Sequence, residues 1–152
     1  MKTREMTASD LPAVAAIAQE TLFPGDMLPE MAAAFLGGDN GSVWLVATDD
    51  DTPLGFAFTE REALTQTAWN MRALATAPDA QRRGVARALI GATEDWVVRH
   101  GARVLVVDTS SGDDFAPARA CYDTAGYVRS GEIPQFWSQD EAKVIFSKLL
   151  QG

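Results

Sequence analysis

A chain of 152 residues, 47% hydrophobic and 22% charged, has the balance of one globular domain with its own core, which excludes a disordered or fibrous protein. Thirteen Lys and Arg against 21 Asp and Glu give a net charge of −8; such a surface repels nucleic-acid phosphates, so no nucleic-acid partner is expected. The single cysteine, Cys121, excludes an intrachain disulfide, and no apolar run approaches the ~20 residues that span a bilayer. No apolar stretch follows Met1–Glu5, so no secretory leader is expected and the cytoplasm is the expected compartment.

The elements are short and mixed. Lys2 to Met6 reads as a first strand. Ser9 reads as a helix N-cap, with Asp10 and Pro12 in the first turn. Leu11, Val14, Ile17 and Ala18 recur at helical spacing and carry that helix to about Thr21. Phe23-Pro24-Gly25-Asp26 breaks it, and a second helix has Pro29 near its start and Gly37-Gly38 after its end. Three strands follow in a meander: Ser42 to Thr48, Leu54 to Glu60 and Thr67 to Thr76. Asp49–Pro53 and Ala63–Gln66 are its turns.

Gly84 to His100 is the most helical stretch. Val85, Ala86, Leu89, Ile90, Trp96 and Val97 make its apolar stripe, Asp95 and Arg99 stand as a supporting pair, and Gly101 closes it. Val104 to Val107 is a short apolar run of the kind found in a buried strand. Strand, helix and buried strand over 67–109 predict a parallel crossover. A last helix runs from Pro117, at its first position, to Ala125, and strands near Tyr127–Ile133 and Ala142–Leu149 end the chain. The order β-α-α-β-β-β-α-β-α-β-β predicts an α/β fold with a central mixed sheet flanked by helices, as a single domain over 1–152.

The loop between Thr76 and the long helix carries the chemistry. Gln81-Arg82-Arg83-Gly84-Val85-Ala86-Arg87 places small residues and three arginines at a helix N-terminus of an acidic protein. Free amides and the helix dipole suit an anion there, and small residues let the backbone approach it. The spacing is neither that of a P-loop nor that of a dinucleotide fingerprint. A solvated loop is the plain alternative.

Gln81-x-x-Gly84-x-Ala86 resembles the acetyl-CoA signature, Q/R-x-x-G-x-G/A, of the GNAT N-acetyltransferase superfamily. Ala118-x-x-Cys121-Tyr122-x-x-x-Gly126-Tyr127 resembles that superfamily's A-x-x-F/L-Y-x-x-x-G-F segment. Val106–Ser111, Phe115–Arg119, Ile133–Trp137 and Lys143–Phe146 are similar to one subgroup of it, and the element order is its order. Ala86 replaces the commoner second glycine, Phe115 stands where many members have Asn, and Asn70 lies near where some place a carboxylate.

The resemblance implies transfer of an acetyl group from acetyl-CoA, as cosubstrate, to a primary amine of a small molecule or peptide by direct attack in a ternary complex, with no metal. The alternative is a non-catalytic CoA-binding regulatory domain on the same fold. The resemblance assigns Tyr122 as the acid that reprotonates the leaving thiolate, a role open to a weak acid because a thiol pKa is about 8.5; the alternative for Tyr122 is a packing aromatic. Main-chain groups of Leu74, Ala75 and Thr76 would hold the pantetheine arm, between strands that part beyond residues 76 and 109. The pyrophosphate would lie on the amides of Arg82, Arg83, Gly84, Val85, Ala86 and Arg87. The resemblance places Gln81 and Ala118 in the same cofactor site.

An alkyl amine with a pKa near ~10 must lose a proton before it attacks. Glu60, Glu62 and Asp108 are candidate bases, with a water chain as the alternative. His100 reads as a helix cap and Cys121 as a small thiol that could line the cofactor channel. Trp44, Trp69 and Trp96 read as core. Phe136 and Trp137 fall in the loop before the last strand, facing either an acceptor pocket or a second subunit. A homodimer is a further possibility that the family resemblance raises.

Overall fold

A computed structural model describes residues 1–150. Its strands are β1 (Lys2–Glu5), β2 (Ser42–Asp49), β3 (Thr52–Arg61), β4 (Ala68–Thr76), β5 (Val104–Ser110), β6 (Val128–Ser138) and β7 (Glu141–Leu149). Its helices are α1 (Leu11–Thr21), α2 (Leu28–Leu36), α3 (Val85–Arg99) and α4 (Ala116–Thr124). The strands form one seven-stranded mixed sheet in the order β1-β2-β3-β4-β5-β7-β6, in which β4 and β5 run parallel and the other neighbours antiparallel. No helix among the described residues is long and apolar enough to cross a membrane.

Both faces of the sheet are apolar, and helices cover them. From Ser42 to Thr48, β2 is buried without a break, the pattern of a strand sandwiched between layers. Val43, Leu45 and Ala47 point to one face with Trp69, Met71, Leu105 and Val107, where Val85, Leu89, Ile90, Trp96 and Val97 of α3 pack on them. Trp44, Val46, Phe56 and Phe58 point to the other, under Val14, Ile17 and Ala18 of α1 and Leu28 and Ala32 of α2. Asp50 and Asp51 both take positive φ, 48° and 66°, in the β2–β3 turn. Short acidic side chains tolerate that conformation better than most residues.

Three local expectations are corrected. Ser9 is not the cap of α1: residues Ala8–Asp10 form a 3₁₀ turn behind Thr7. There the Asp10 carboxylate accepts from the Thr7 backbone N–H at 2.8 Å and pairs with Arg4 at 2.7 Å. Pro117 sits one residue inside α4 rather than at its first position, which is Ala116. Asp95 and Arg99 form no ion pair among the described residues, although they stand one turn apart. Both are exposed, where such a pair contributes little.

Arg4 and Thr7 hold the buried Asp10 carboxyl down, from 3.8 to about 2. A lowered carboxyl stabilises the fold above its unfolded pKa, and that contribution fades as pH falls from about 4 toward about 2. Asp10→Asn therefore costs roughly 1–2 kcal/mol in urea unfolding at pH 7, and the gap to wild type closes by about pH 2. A gap that stays constant across this range would disprove the pairing.

Candidate active site

β4 and β5 pair from Ala68–Val104 to Met71–Val107 and then part. The notch thus opens well before residues 76 and 109, where the sequence had placed it. Its cause is a β-bulge. On the β3 side, Phe58 faces Ala73 and Thr59 faces Met71, so Arg72 is the extra residue of β4. A bulge bends its strand and re-aims the side chain it carries. Beyond it β4 keeps β3 as partner and β5 keeps β7, which leaves the facing edges of both strands open. Leu74, Ala75 and Thr76 lie along the open stretch of β4.

The loop after β4 leads into α3 through a 3₁₀ turn, Pro78–Ala80. Gln81 is extended, and Arg82 and Gly84 take φ of 66° and 81°. Left-handed residues on either side of Arg83 bend the loop sharply, and turns of this kind can gather successive N–H groups into an anion nest. The amides of Arg82, Arg83 and Gly84 donate to no backbone carbonyl among the described residues. Those of Val85, Ala86 and Arg87 are in the first turn of α3, where no carbonyl lies one turn behind. A Cβ on Gly84 would meet nothing within 4 Å, so the space over the loop is open. Arg82 and Arg87 have no ion pair among the described residues, whereas Arg83 reaches Asp49 at 3.2 Å. The basic patch therefore has two free guanidinium groups rather than three.

Beside this loop, Arg87 and Ile90 of α3 and Ala120, Cys121 and Thr124 of α4 line a cleft of about 430 Å³. Cys121 thus lines a cleft next to the loop. A cleft of about 450 Å³ at the other end of α3, beside Glu94 and Lys148, has no comparable set of free amides. Tyr122 projects to the inner side of α4, 3% exposed, with its ring 5.9 Å from Tyr127 and 5.4 Å from Phe146. Its hydroxyl has no hydrogen-bond partner among the described residues, and burial pushes its pKa up. Ala118 packs half-buried against the same core. Phe115 gives α4 no side-chain cap.

The three candidate bases meet on the opposite face of the sheet. Met71 and Val107 point to α3, so Arg72 after the bulge and Asp108 point away from it. Arg72 donates to Glu60 at 3.0 Å and to Glu62 at 2.8 Å, and lies 3.7 Å from Asp108. Lys143 of β7 reaches Asp108 at 3.3 Å. Asn70, 3% exposed, donates to Glu62 at 3.0 Å and Asp108 at 3.3 Å. An amide there links two carboxylates that a third would repel. Asp108 is the most enclosed of the three acids, its side chain 11% exposed against 31% for Glu62 and 40% for Glu60. No group of three His, Cys, Asp or Glu side chains among the described residues is placed to hold a metal.

Phe136 and Trp137 lie in β6 rather than in a loop before β7. Ile133 faces Lys143 and Ser138 faces Glu141, so residues 134–137 arch opposite the single Ala142. Gln135 at φ 56° turns the arch. The Trp137 indole N–H donates to the Thr109 carbonyl at 3.1 Å, which draws the arch toward the notch. His100 accepts the capping role: it follows α3, stacks on Trp96 with ring centres 3.6 Å apart, and its Nδ1 lies 2.8 Å from the Trp96 carbonyl. Trp44, Trp69 and Trp96 are core.

The family model for the GNAT acetyltransferases matches residues 11–127, which take in the loop, α3, the notch and α4. The chain belongs to the GNAT acetyltransferase family. Among solved structures it superposes on a GNAT-family acetyltransferase of Desulfovibrio desulfuricans with a TM-score of 0.86 at 24% identity, covering 99% of both chains. On Ard1 of Thermoplasma volcanium the TM-score is 0.84 at 18% identity, covering 99% of this chain and 98% of that one. On the Escherichia coli ribosomal-protein-S18-alanine N-acetyltransferase it is 0.80 at 20%, covering 99% and 94%. These identities show the shared fold. None of the curated proteins matches the chain in sequence.

In this GNAT chain, reasoning from sequence passed over Arg72, Lys143 and Gly55. Arg72 carried no motif, and Lys143 lay in a segment whose resemblance to one subgroup gave it no role. Gly55 carried no turn signal, yet a Cβ there would stand 2.6 Å from the Ala75 carbonyl oxygen and 2.7 Å from Val85 Cγ1.

Proposed function

We propose that this acetyltransferase uses acetyl-CoA to acetylate a primary amine. The observation that carries the reading is the junction of the notch between β4 and β5 with the amide nest at 82–87. A chain-like cosubstrate with an anionic end needs both, and the residues present fit it. Arg82, Arg83, Gly84, Val85, Ala86 and Arg87 offer N–H groups to a pyrophosphate, with Gln81 at the loop's entrance. Leu74 and Thr76, on either side of Ala75, turn main-chain groups to the open edge for an amide-bearing arm, and Cys121 lines the cleft beside it, one turn along α4 from Ala118. Acetyl-CoA supplies an activated acyl carbon and a thiolate leaving group.

The protein's own residues divide the remaining work. Tyr122, a phenol and so protonated throughout the neutral range, donates a proton to the departing sulfur. Asp108 is the enclosed carboxylate at the start of the notch and takes up the amine's proton, directly or through water. Glu60, Glu62 and Arg72 set the charge around it, and Asn70 orients it. This enzymatic reading is preferred to a CoA-binding regulatory domain because the sheet carries clustered carboxylates on one face and a protonated phenol on the other.

Isothermal calorimetry with acetyl-CoA tests the nest. Wild type binds with a measurable Kd, and the double variant Arg82→Ala/Arg87→Ala binds about 10- to 100-fold more weakly, as expected for two charge-assisted contacts to phosphate. The difference narrows at high salt. Equal binding by the two proteins would remove the phosphates from this loop. Thiol release from acetyl-CoA with a panel of amines then separates an enzyme from a binder.

A further inference from the structure

The Lys143 ammonium lies between two groups that each favour a cation. Asp108 is 3.3 Å away on one side, and the face of the Phe136 ring has its centre 4.6 Å away on the other. Phe136 is held by its T-shaped contact with Trp137, ring centres 4.7 Å apart, and Trp137 by its bond to the Thr109 carbonyl. The arch at 134–137 that presents these rings is therefore tied to the strand that carries Asp108. Carboxylate and aromatic face together make a half-enclosed box for an alkylammonium ion, at the first residues past the last β4–β5 pair.

The charges around the box do not close without its occupant. Glu60, Glu62 and Asp108 carry three negative charges, and Arg72 and Lys143 two positive ones. With Lys143 swung out, Arg72 alone would face three carboxylates. Another cation then gains most by taking the vacated place, and an acceptor carrying its own carboxylate beside the amine is repelled. Lys143 stands on a strand whose end is near the surface, and its side chain is 19% exposed, so it has an outlet to solvent.

We propose that the acceptor is an aliphatic primary amine whose ammonium group replaces Lys143 Nζ between Asp108 and the Phe136 ring, and that Lys143 is the resident competitor which sets acceptor affinity. The inference rests on the reading of an amine acceptor and adds its class and its contacts. Lys143 acts here as a specificity-determining residue, since it takes no part in bond making.

The test uses the full chain, with hexylamine and norleucine as probes. Norleucine carries an α-carboxylate beside its amine. In steady-state thiol release, Lys143→Met lowers KM for hexylamine about tenfold with kcat little changed, the effect of removing a competitor worth one charge-assisted contact. Lys143→Arg restores a KM near that of wild type. Phe136→Leu raises KM about 3- to 10-fold through the lost cation–π contact. Norleucine is a poor acceptor for every variant.

Hexylamine titrated calorimetrically in the presence of CoA reads the exchange without turnover and shows the same tightening in Lys143→Met. Unchanged or weaker hexylamine binding by a folded Lys143→Met and a folded Lys143→Gln overturns the proposal, as does a preference for norleucine. Tightened hexylamine binding with no thiol release from any amine upholds the box and refutes the acetyltransferase mechanism, so the two failures are distinguishable.

Discussion

Tyr122→Phe lowers kcat by roughly 10²-fold or more while acetyl-CoA affinity stays close to that of wild type, as loss of a positioned general acid should. The variant keeps the ring that packs on Tyr127 and Phe146. The hydroxyl has no hydrogen-bond partner among the described residues, so its removal strands no buried group, and the thermal midpoint should scarcely move. The pH profile adds a second readout. Burial holds the Tyr122 pKa above its ordinary value of 10.0, so the phenol does not deprotonate on the way up from neutral pH. Any loss of wild-type activity between pH 8 and about 10 then has another source. The check is thiol release with a good amine substrate from pH 6 to 10. A variant as fast as wild type would reduce Tyr122 to a packing aromatic.

Gly55→Ala should damage the fold and the cofactor site together. Gly55 faces Thr76 in the β3–β4 pair, directly beneath the start of α3. A methyl group there would overlap the Ala75 carbonyl oxygen at 2.6 Å and Val85 Cγ1 at 2.7 Å. One of those contacts is backbone and cannot rotate away. The last residues of β4 and the first turn of α3 must shift, and both line the proposed cofactor path. Overpacking of this kind costs about 1–3 kcal/mol, or some 2–4 °C of thermal midpoint per kcal/mol in a chain of this size. Acetyl-CoA binding should fall at least tenfold in protein that remains folded, because the nest amides are displaced from the notch. Calorimetry at a temperature where the variant is fully folded decides it. Wild-type affinity and stability together would show that the junction yields without cost.

Much of the fold and one half of the proposed site could be read from the chain. The helix over 84–100, the apolar run at 104–107 and the glycines after α3 and α4 follow from local rules of periodicity and capping, and the observed elements agree with them. The nest at 82–87 was legible for the same reason: strand end, small residues and helix start are contiguous, so geometry follows from order. Tyr122 was reached through its motif. Phe136 and Trp137 were misplaced because residues 134–137 alternate poorly and contain Pro134, features of a loop that β6 accommodates by arching against β7.

The acidic half of the site was decided by tertiary structure. Glu60, Asn70, Arg72, Asp108 and Lys143 come from four strands and Glu62 from the residue just past β3, and nothing in the spacing of one tells of another. A one-residue bulge at Arg72 turns that side chain among the carboxylates and opens the notch next to them. Sheet pairing, a long-range property, sets where such a bulge falls. The net charge of −8 likewise described only a total. Three of the acidic groups are gathered by Arg72 and Lys143 on one face of the sheet, and Arg82 and Arg87 stand free at the start of α3. That separation of sign exists only once β4, β5 and β7 lie side by side.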